Sequence, residues 1–204
     1  LDAINFLISH FSTHKDSRLI YCGAGTSGRI AVQDAVELLP TFGWPKSRID
    51  FLLAGGSQAL QKSIENAEDD IEKAKQAFIK KKISYKDVVI CIAASGNTSF
   101  TNKIMELSFN CNVPTIAISN NPAGIILDKA TFEIVLDTKQ EVVAGSTRLK
   151  AGTAQKICLN IISTILMTKL GNVKNGMMIN MVPTNKKLKE RMMRIKKFND
   201  KKSI

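Results

Sequence analysis

The sequence predicts an α/β fold with a doubly wound, mainly parallel five-stranded sheet flanked by helices. Two observations predict this fold. Short β-rich apolar runs alternate with helical stretches along most of the chain, which is typical of parallel strands joined by crossover helices. Residues 87–94 form a nearly continuous apolar run, as expected for a strand that is buried on both faces of such a sheet.

The elements follow one another as β-α-β-α-β-α-β-β-α, with a short helix before the fifth strand and a further helix at each end of the chain. The predicted strands are residues 18–22, 48–54, 87–94, 113–119 and 131–136. The predicted helices are residues 1–11, 28–39, 58–81 with a break near Asn66, 98–111, 146–169 and 185–198. Residues 1–171 are expected to form a ligand-binding domain, and residues 172–204 a connection and a basic C-terminal helix.

The positive charge is concentrated near the C-terminal end of the sequence. The 204 residues carry a net charge of +11, and residues 186–202 hold nine basic and two acidic residues, or 9 − 2 = +7 of that charge. Because Phe198 alone interleaves with these charges, a solvated helix face is a better interpretation than a nucleic-acid surface. We therefore expect no nucleic-acid partner.

The remaining composition argues against a zinc site and against a membrane-spanning helix. The four cysteines form no CxxC pair, and three lie in apolar runs, which indicates buried thiols in a reducing cytoplasm. With two histidines in the chain, a zinc site is not expected. No stretch reaches the roughly 18 apolar residues of a membrane-spanning helix. We expect a cytoplasmic protein with no metal, no cofactor and no membrane partner.

A glycine-rich loop, residues 23–29 (GAGTSGR), follows the first predicted strand and opens a helix. Glycines let the backbone approach a ligand closely, and helix N-terminal amides favour an anion. The loop matches the GxGxxG dinucleotide fingerprint, but no acid ends the second strand, and the lysine of a P-loop is absent. We predict that the loop binds a phosphorylated small molecule through Gly25, Thr26, Ser27, Gly28 and Arg29.

Two further polar loops follow strands of the same sheet. Residues 94–98 (ASGNT) follow the third strand, and residues 141–153 follow the fifth strand and open the longest helix, which Ser146 and Thr147 are expected to cap. Ordinary helix capping is also the alternative interpretation of Ser95 and Thr98. Because the carboxyl ends of parallel strands meet at one edge, both loops are expected to line the same crevice as the first. The predicted contacts are Ser95, Gly96, Asn97, Thr98, Ser146, Thr147 and Lys150.

Taken together, these motifs resemble those of the N-acetylmuramic acid 6-phosphate etherases, which carry a sugar isomerase (SIS) domain. The similarity runs from about residue 18 to residue 194. The glucokinase regulatory proteins share much of the pattern and are the main alternative family for this sequence. Besides the first loop, the matching segments are residues 34–35, 40–43, 54–56, 65–69, 92–98 and 145–156.

The resemblance implies an SIS-type fold, a homodimer and a lyase. Such an enzyme cleaves the lactyl ether of N-acetylmuramic acid 6-phosphate to N-acetylglucosamine 6-phosphate and D-lactate, by elimination and water addition, in the recycling of cell-wall amino sugars. Glu37 and Glu68 fall at the two catalytic glutamates of the family. The apolar neighbours of Glu37 further predict that burial raises its pKa and favours the acid form.

The sequence departs from the family at a few positions. Residues 34–41 read DAVELLPT where the family has Asp-Ala-Ser-Glu-Cys-Pro-Pro-Thr, and Asn97 replaces an arginine. The family also carries a leading segment, expected to complete the site of the neighbouring subunit, so this chain is expected to be part of a longer protein. The alternative function is a non-catalytic regulatory protein that binds a sugar phosphate.

Overall fold

The computed structural model describes residues 1–183 and 186–201, and it contains the predicted alternation of strands and helices. The strands are β1 (Leu19–Gly23), β2 (Ile49–Leu53), β3 (Val88–Ala93), β4 (Thr115–Ser119), β5 (Phe132–Val135), β6 (Val173–Lys174) and β7 (Met177–Met178). The helices are α1 (Asp2–Thr13), α2 (Gly25–Val36), α3 (Leu38–Phe42), α4 (Ile71–Lys80), α5 (Ser99–Asn110), α6 (Lys150–Lys169) and α7 (Lys186–Lys201).

The main sheet has five parallel strands in the order β2-β1-β3-β4-β5. Leu19 pairs with Ile49 on one side and with Val88 on the other. The chain therefore moves from β1 outward to β2 and then returns to the opposite side of β1. This reversal creates a switch point between β1 and β3, where doubly wound sheets bind ligands beyond the carboxyl ends of the strands. The predicted fold class is confirmed.

Helices cover both faces of the sheet, and consecutive residues of β1 show how the layers form. Leu19 and Tyr21 are buried in one core together with α1, α2 and α6. Ile20 and Cys22 are buried in a second core together with α4 and α5. Because side chains alternate across a strand, a strand between two cores has to be apolar at every position, which explains the uniform apolar runs.

Several predicted element boundaries differ from those in the structure. The helix predicted from residue 28 begins at Gly25, and the helix predicted over 58–81 is two 3₁₀ turns, 56–60 and 67–69, followed by α4. The predicted break near Asn66 is present, since Asn66 has a left-handed φ of 55°. The longest helix begins at Lys150 rather than at residue 146. The predicted start of the terminal helix at Asn185 lies outside the described residues.

The segment after α6 packs back onto the domain instead of extending away as a plain connection. Strands β6 and β7 form a short antiparallel hairpin. Beyond it, the Val182 N–H donates to the Pro40 carbonyl at 3.1 Å, and the buried Met181 lies beside this contact. Within the described part of the chain, no helix is long and apolar enough to cross a membrane. The domain boundary at residues 171–172 stays a prediction.

Candidate functional site

The glycine-rich loop places the N-terminus of α2 directly beyond the end of β1. Ala24 is the N-cap residue of α2, and no side chain caps this end of the helix. Gly25 has a φ of 51°, and the space that a Cβ atom would occupy there is open. The first amide groups of α2 therefore point outward without a protein acceptor, which is the arrangement that binds an anion.

Gly23 and Gly28 serve the packing of α2 on the sheet. A Cβ atom on Gly23 would lie 2.9 Å from the backbone nitrogen and the Cα of Gly28. A Cβ atom on Gly28 would lie 2.8 Å from the carbonyl oxygen of Gly23. Ser27 and Gly28 are both buried, whereas Gly25 and Thr26 reach the surface. The outer half of the loop is thus the part that can touch a ligand directly.

Substituting Gly23 with alanine should lower the free energy of unfolding by about 1–3 kcal/mol, because the new methyl group overlaps backbone atoms that cannot rotate away. The melting temperature should then fall by roughly 2–4 °C per kcal/mol for a chain of this size. Gly152→Ala is the control, since its closest contacts, at 3.3 Å, are side-chain ends of Ile30 and Thr26 that can shift. Equal losses in both variants, measured by thermal denaturation, would contradict the packing role of Gly23.

The second loop brings another uncapped helix N-terminus to the same edge. Thr98 is the N-cap residue of α5, and its side chain makes no capping hydrogen bond. Within the loop, the Asn97 N–H donates to the Ser95 Oγ at 3.1 Å. The Oδ1 of Asn97 accepts from the Ile125 N–H at 3.1 Å, so this side chain fastens the neighbouring loop. Because β1 and β3 are paired, the N-termini of α2 and α5 both lie beyond the same end of the sheet, at the switch point.

The third polar stretch leads into α6, where Gly152 lies against Thr26 of the first loop. Its capping differs from the prediction. Ser146 and Thr147 were expected to cap the longest helix, and this expectation is wrong. The cap is the carboxylate of Glu141, which accepts from the backbone N–H groups of Lys150 and Ala151 at 2.9 Å each. This helix end is therefore occupied by the chain itself.

Arg29 and Glu68 line one pocket beside the open end of α2. The pocket has a volume of about 200 Å³. The guanidinium of Arg29 donates from Nε to the Ala59 carbonyl at 2.7 Å and from Nη2 to the Lys62 carbonyl at 3.3 Å. Arg29 therefore holds the segment that leads to Glu68. The residues that line this pocket are Ala24, Gly25, Arg29, Ala54, Ala59, Ser63, Ile64, Glu65, Asn66, Ala67 and Glu68.

Glu37 lies far from this pocket, at the C-terminal end of α2. The 12 residues of α2 span about 18 Å at 1.5 Å per residue, and the helix runs back toward the edge where β1 and β2 begin. The predicted burial of Glu37 is wrong: its side chain is exposed, because Ala35 and Leu38 face the core and Glu37 does not. Within one chain, Glu37 and Glu68 therefore lie at opposite edges of the sheet.

Sequence reasoning missed a buried polar cluster that locks α2 to α6. Asp34 is buried and accepts from the Asn160 Nδ2 at 2.7 Å and from the Ser163 Oγ at 3.2 Å. Burial raises the pKa of the Asp34 carboxyl, against the hydrogen bonds from Asn160 and Ser163 that lower it. The helical period could have revealed the burial of Asp34, because it places Asp34 on the same face of α2 as Ala31 and Ala35.

A comparison with protein families decides the assignment of this chain. The model described as "Glucokinase regulatory protein N-terminal SIS domain" matches residues 3–108, slightly more than half of the chain. The chain belongs to this SIS-domain family.

The resemblance of this SIS domain to the etherases is also confirmed. It is 46% identical to an N-acetylmuramic acid 6-phosphate etherase of Lactococcus lactis subsp. lactis over 182 residues, which is 89% of this chain and 61% of that protein. An enzyme of the same name from Deinococcus radiodurans is 42% identical over 181 residues, or 89% of this chain and 59% of that protein. The chain therefore spans about 60% of the length of these relatives.

Solved structures share the SIS fold at low sequence identity. A protein of Escherichia coli CFT073 matches with a TM-score of 0.63 at 14% identity, covering 86% of this chain and 82% of that chain. A phosphoheptose isomerase from Francisella tularensis matches with a TM-score of 0.59 at 16% identity, covering 81% of this chain and 83% of that chain. At these identities the likeness supports the fold alone.

Proposed function

We propose that this SIS domain belongs to an enzyme that cleaves the lactyl ether of N-acetylmuramic acid 6-phosphate, giving N-acetylglucosamine 6-phosphate and D-lactate. The observation that carries the proposal is the position of Glu68. This carboxylate shares a pocket with Gly25 at the open end of α2, and the identity to the etherases extends over 89% of the chain. An anion site beside a carboxylate suits a phosphorylated substrate that has to lose a proton.

The phosphate group is proposed to lie between the N-termini of α2 and α5. Each helix N-terminus carries roughly half a positive charge, so two such ends attract a dianion strongly. The N-cap residues Ala24 and Thr98 make no capping hydrogen bond with their own side chains. The Ser99 hydroxyl at the start of α5 donates to the Asp69 carboxylate at 3.2 Å. The hydroxyl groups of Thr26, Ser95 and Thr98 stand at these ends and can donate to phosphate oxygens.

The remaining predicted contacts divide into two groups. Ser27, Gly28, Gly96 and Asn97 keep the two loops in shape, through burial or through bonds to the neighbouring backbone. Ser146, Thr147 and Lys150 form the third wall, where the exposed ammonium group of Lys150 adds positive charge. The substrate phosphate is thus proposed to be held mainly by backbone amides and hydroxyls, with little direct contribution from Arg29.

The proposed chemistry needs one base and one acid. A carboxylate removes the proton at C2 of the open-chain sugar, and the electron pair forms a C2–C3 double bond. The C3–O bond to the lactyl group breaks, and the second carboxyl group protonates the departing oxygen. Water then adds across the double bond, with its hydroxyl on C3 and a proton returned to C2. Glu37 and Glu68 are proposed as the two carboxyl groups.

Because these acids lie at opposite edges of one sheet, we propose that they meet across a homodimer. The Glu68 of one copy would then act together with the Glu37 of a second copy. An exposed apolar side chain next to Glu37 supports this arrangement. Val36 is 49% exposed, as expected for a face that a second copy covers.

Release of D-lactate tests the proposal directly. The protein is incubated with N-acetylmuramic acid 6-phosphate, lactate is measured with an enzymatic assay, and N-acetylglucosamine 6-phosphate is measured in parallel. Equal amounts of both products are expected. If the folded protein, in its full length, binds the substrate without releasing lactate, the regulatory alternative that the family model favours replaces the lyase.

A further inference from the structure

The carboxylate of Glu141 closes a loop onto the N-terminus of α6. Its Oε2 accepts from the Lys150 N–H and its Oε1 from the Ala151 N–H, both at 2.9 Å. The residue lies nine positions before the helix, so it is no ordinary N-cap. These two bonds also hold the pKa of Glu141 below its usual range, chiefly through the backbone N–H of Ala151. The carboxylate stays ionised on the positive end of the helix dipole.

The loop that Glu141 closes, residues 142–149, has few other anchors. Val142 and Val143 are 89% and 59% exposed, so they contribute little apolar packing. Among the described residues, no side chain of 142–149 makes a hydrogen bond or an ion pair, and the loop's own bonds are short-range turns such as Ser146 N–H to the Val143 carbonyl at 2.9 Å. The two bonds of Glu141 are therefore a main restraint on the loop.

The closed loop leads into the first turn of α6, and that turn packs against the first anion loop. The Gly152 N–H donates to the Thr147 carbonyl at 2.9 Å, which fixes the end of the loop on α6. A Cβ atom on Gly152 would lie 3.3 Å from the Cγ2 of Thr26, so α6 and the Thr26 loop are in contact. Glu141 and the Thr147 carbonyl thus tie residues 142–149 to the turn of α6 that faces Thr26.

We propose that Glu141 is a positioning residue that holds Ser146, Thr147 and Lys150 in place as one wall of the sugar-phosphate site. The inference rests on the proposed function, because it assigns these side chains to the binding of that substrate. Glu141 acts through the loop and does not touch the substrate. By occupying the helix N-terminus of α6, it also confines the substrate phosphate to the open ends of α2 and α5.

The test compares Glu141→Ala and Glu141→Gln with the unchanged protein in the binding of N-acetylglucosamine 6-phosphate, measured by calorimetry. This ligand reports binding whether or not the protein turns over. Because the loss of the helix cap releases the loop, Glu141→Ala should weaken binding by about five- to tenfold. Glu141→Gln keeps one acceptor oxygen and should recover part of the affinity. Glu133→Ala, an exposed glutamate on β5, is the control and should bind normally.

One readout reports the release of the helix cap, and a second separates positioning from a purely structural role. Amide hydrogen exchange at Lys150 and Ala151 should accelerate in Glu141→Ala, and with N-acetylmuramic acid 6-phosphate the KM should rise more than kcat falls. A lower melting temperature with unchanged affinity and KM would overturn the positioning role and leave the proposed function standing. If the protein without any substitution binds neither sugar phosphate, both the positioning role of Glu141 and the proposed function are overturned.

Discussion

Replacing Glu68 with glutamine should lower the rate of D-lactate release by about 10²- to 10⁴-fold, the range in which a general acid or base contributes to catalysis. Glutamine keeps the size of the side chain and can still accept a hydrogen bond, but it cannot take up or give a proton at neutral pH. Glu68 is exposed and lines the pocket at Gly25, so the substitution disturbs no buried contact. The affinity for N-acetylglucosamine 6-phosphate should change far less than the rate.

The matched control for this experiment is Glu72→Gln. Glu72 lies in the first turn of α4, is exposed, and does not line the pocket that contains Glu68. It should release lactate at the unchanged rate. A Glu68→Gln protein that keeps more than about a tenth of the activity would exclude Glu68 as acid or base.

Combining two inactive variants in one dimer should restore activity. Glu37→Gln and Glu68→Gln copies, co-expressed with different tags and purified as the mixed dimer, contain one site in which both acids are intact and one in which both are replaced. If each site takes Glu37 from one copy and Glu68 from the other, the mixed dimer should show about half of the unchanged activity. The separate variants should show almost none.

The physical reason for this expectation is the length of α2. A helix of 12 residues holds Glu37 about 18 Å from Gly25, too far for both acids of one chain to reach a single sugar ring. If the acids acted within one chain, every site of the mixed dimer would carry one replaced acid, and no activity would return. A single elution peak at the mass of one chain, by light scattering, would also contradict the arrangement.

Much of the fold could be predicted from the sequence. The uniform apolar run now seen as β3 predicted a strand covered on both faces, because every position of such a strand contacts a core. The glycines of residues 23–29 predicted a loop whose backbone can approach a ligand, and the structure adds that Gly23 and Gly28 pack against each other. Helix ends were harder to predict. The start of α6 is an example, because its cap is the carboxylate of Glu141, nine positions before the helix.

The sequence by itself determined the alternation of strands and helices, the edge at which the polar loops gather, and the resemblance to the etherases. These features are encoded locally, in the periodicity of apolar residues and in the residues that follow each strand. Only the tertiary structure decided that Arg29 binds the carbonyl groups of Ala59 and Lys62, and that Glu141 caps α6. It also placed Glu37 and Glu68 at opposite edges of the sheet. The contacts of Arg29 and Glu141 join residues between nine and 33 positions apart. They depend on how the elements pack, and a local sequence pattern does not encode that packing.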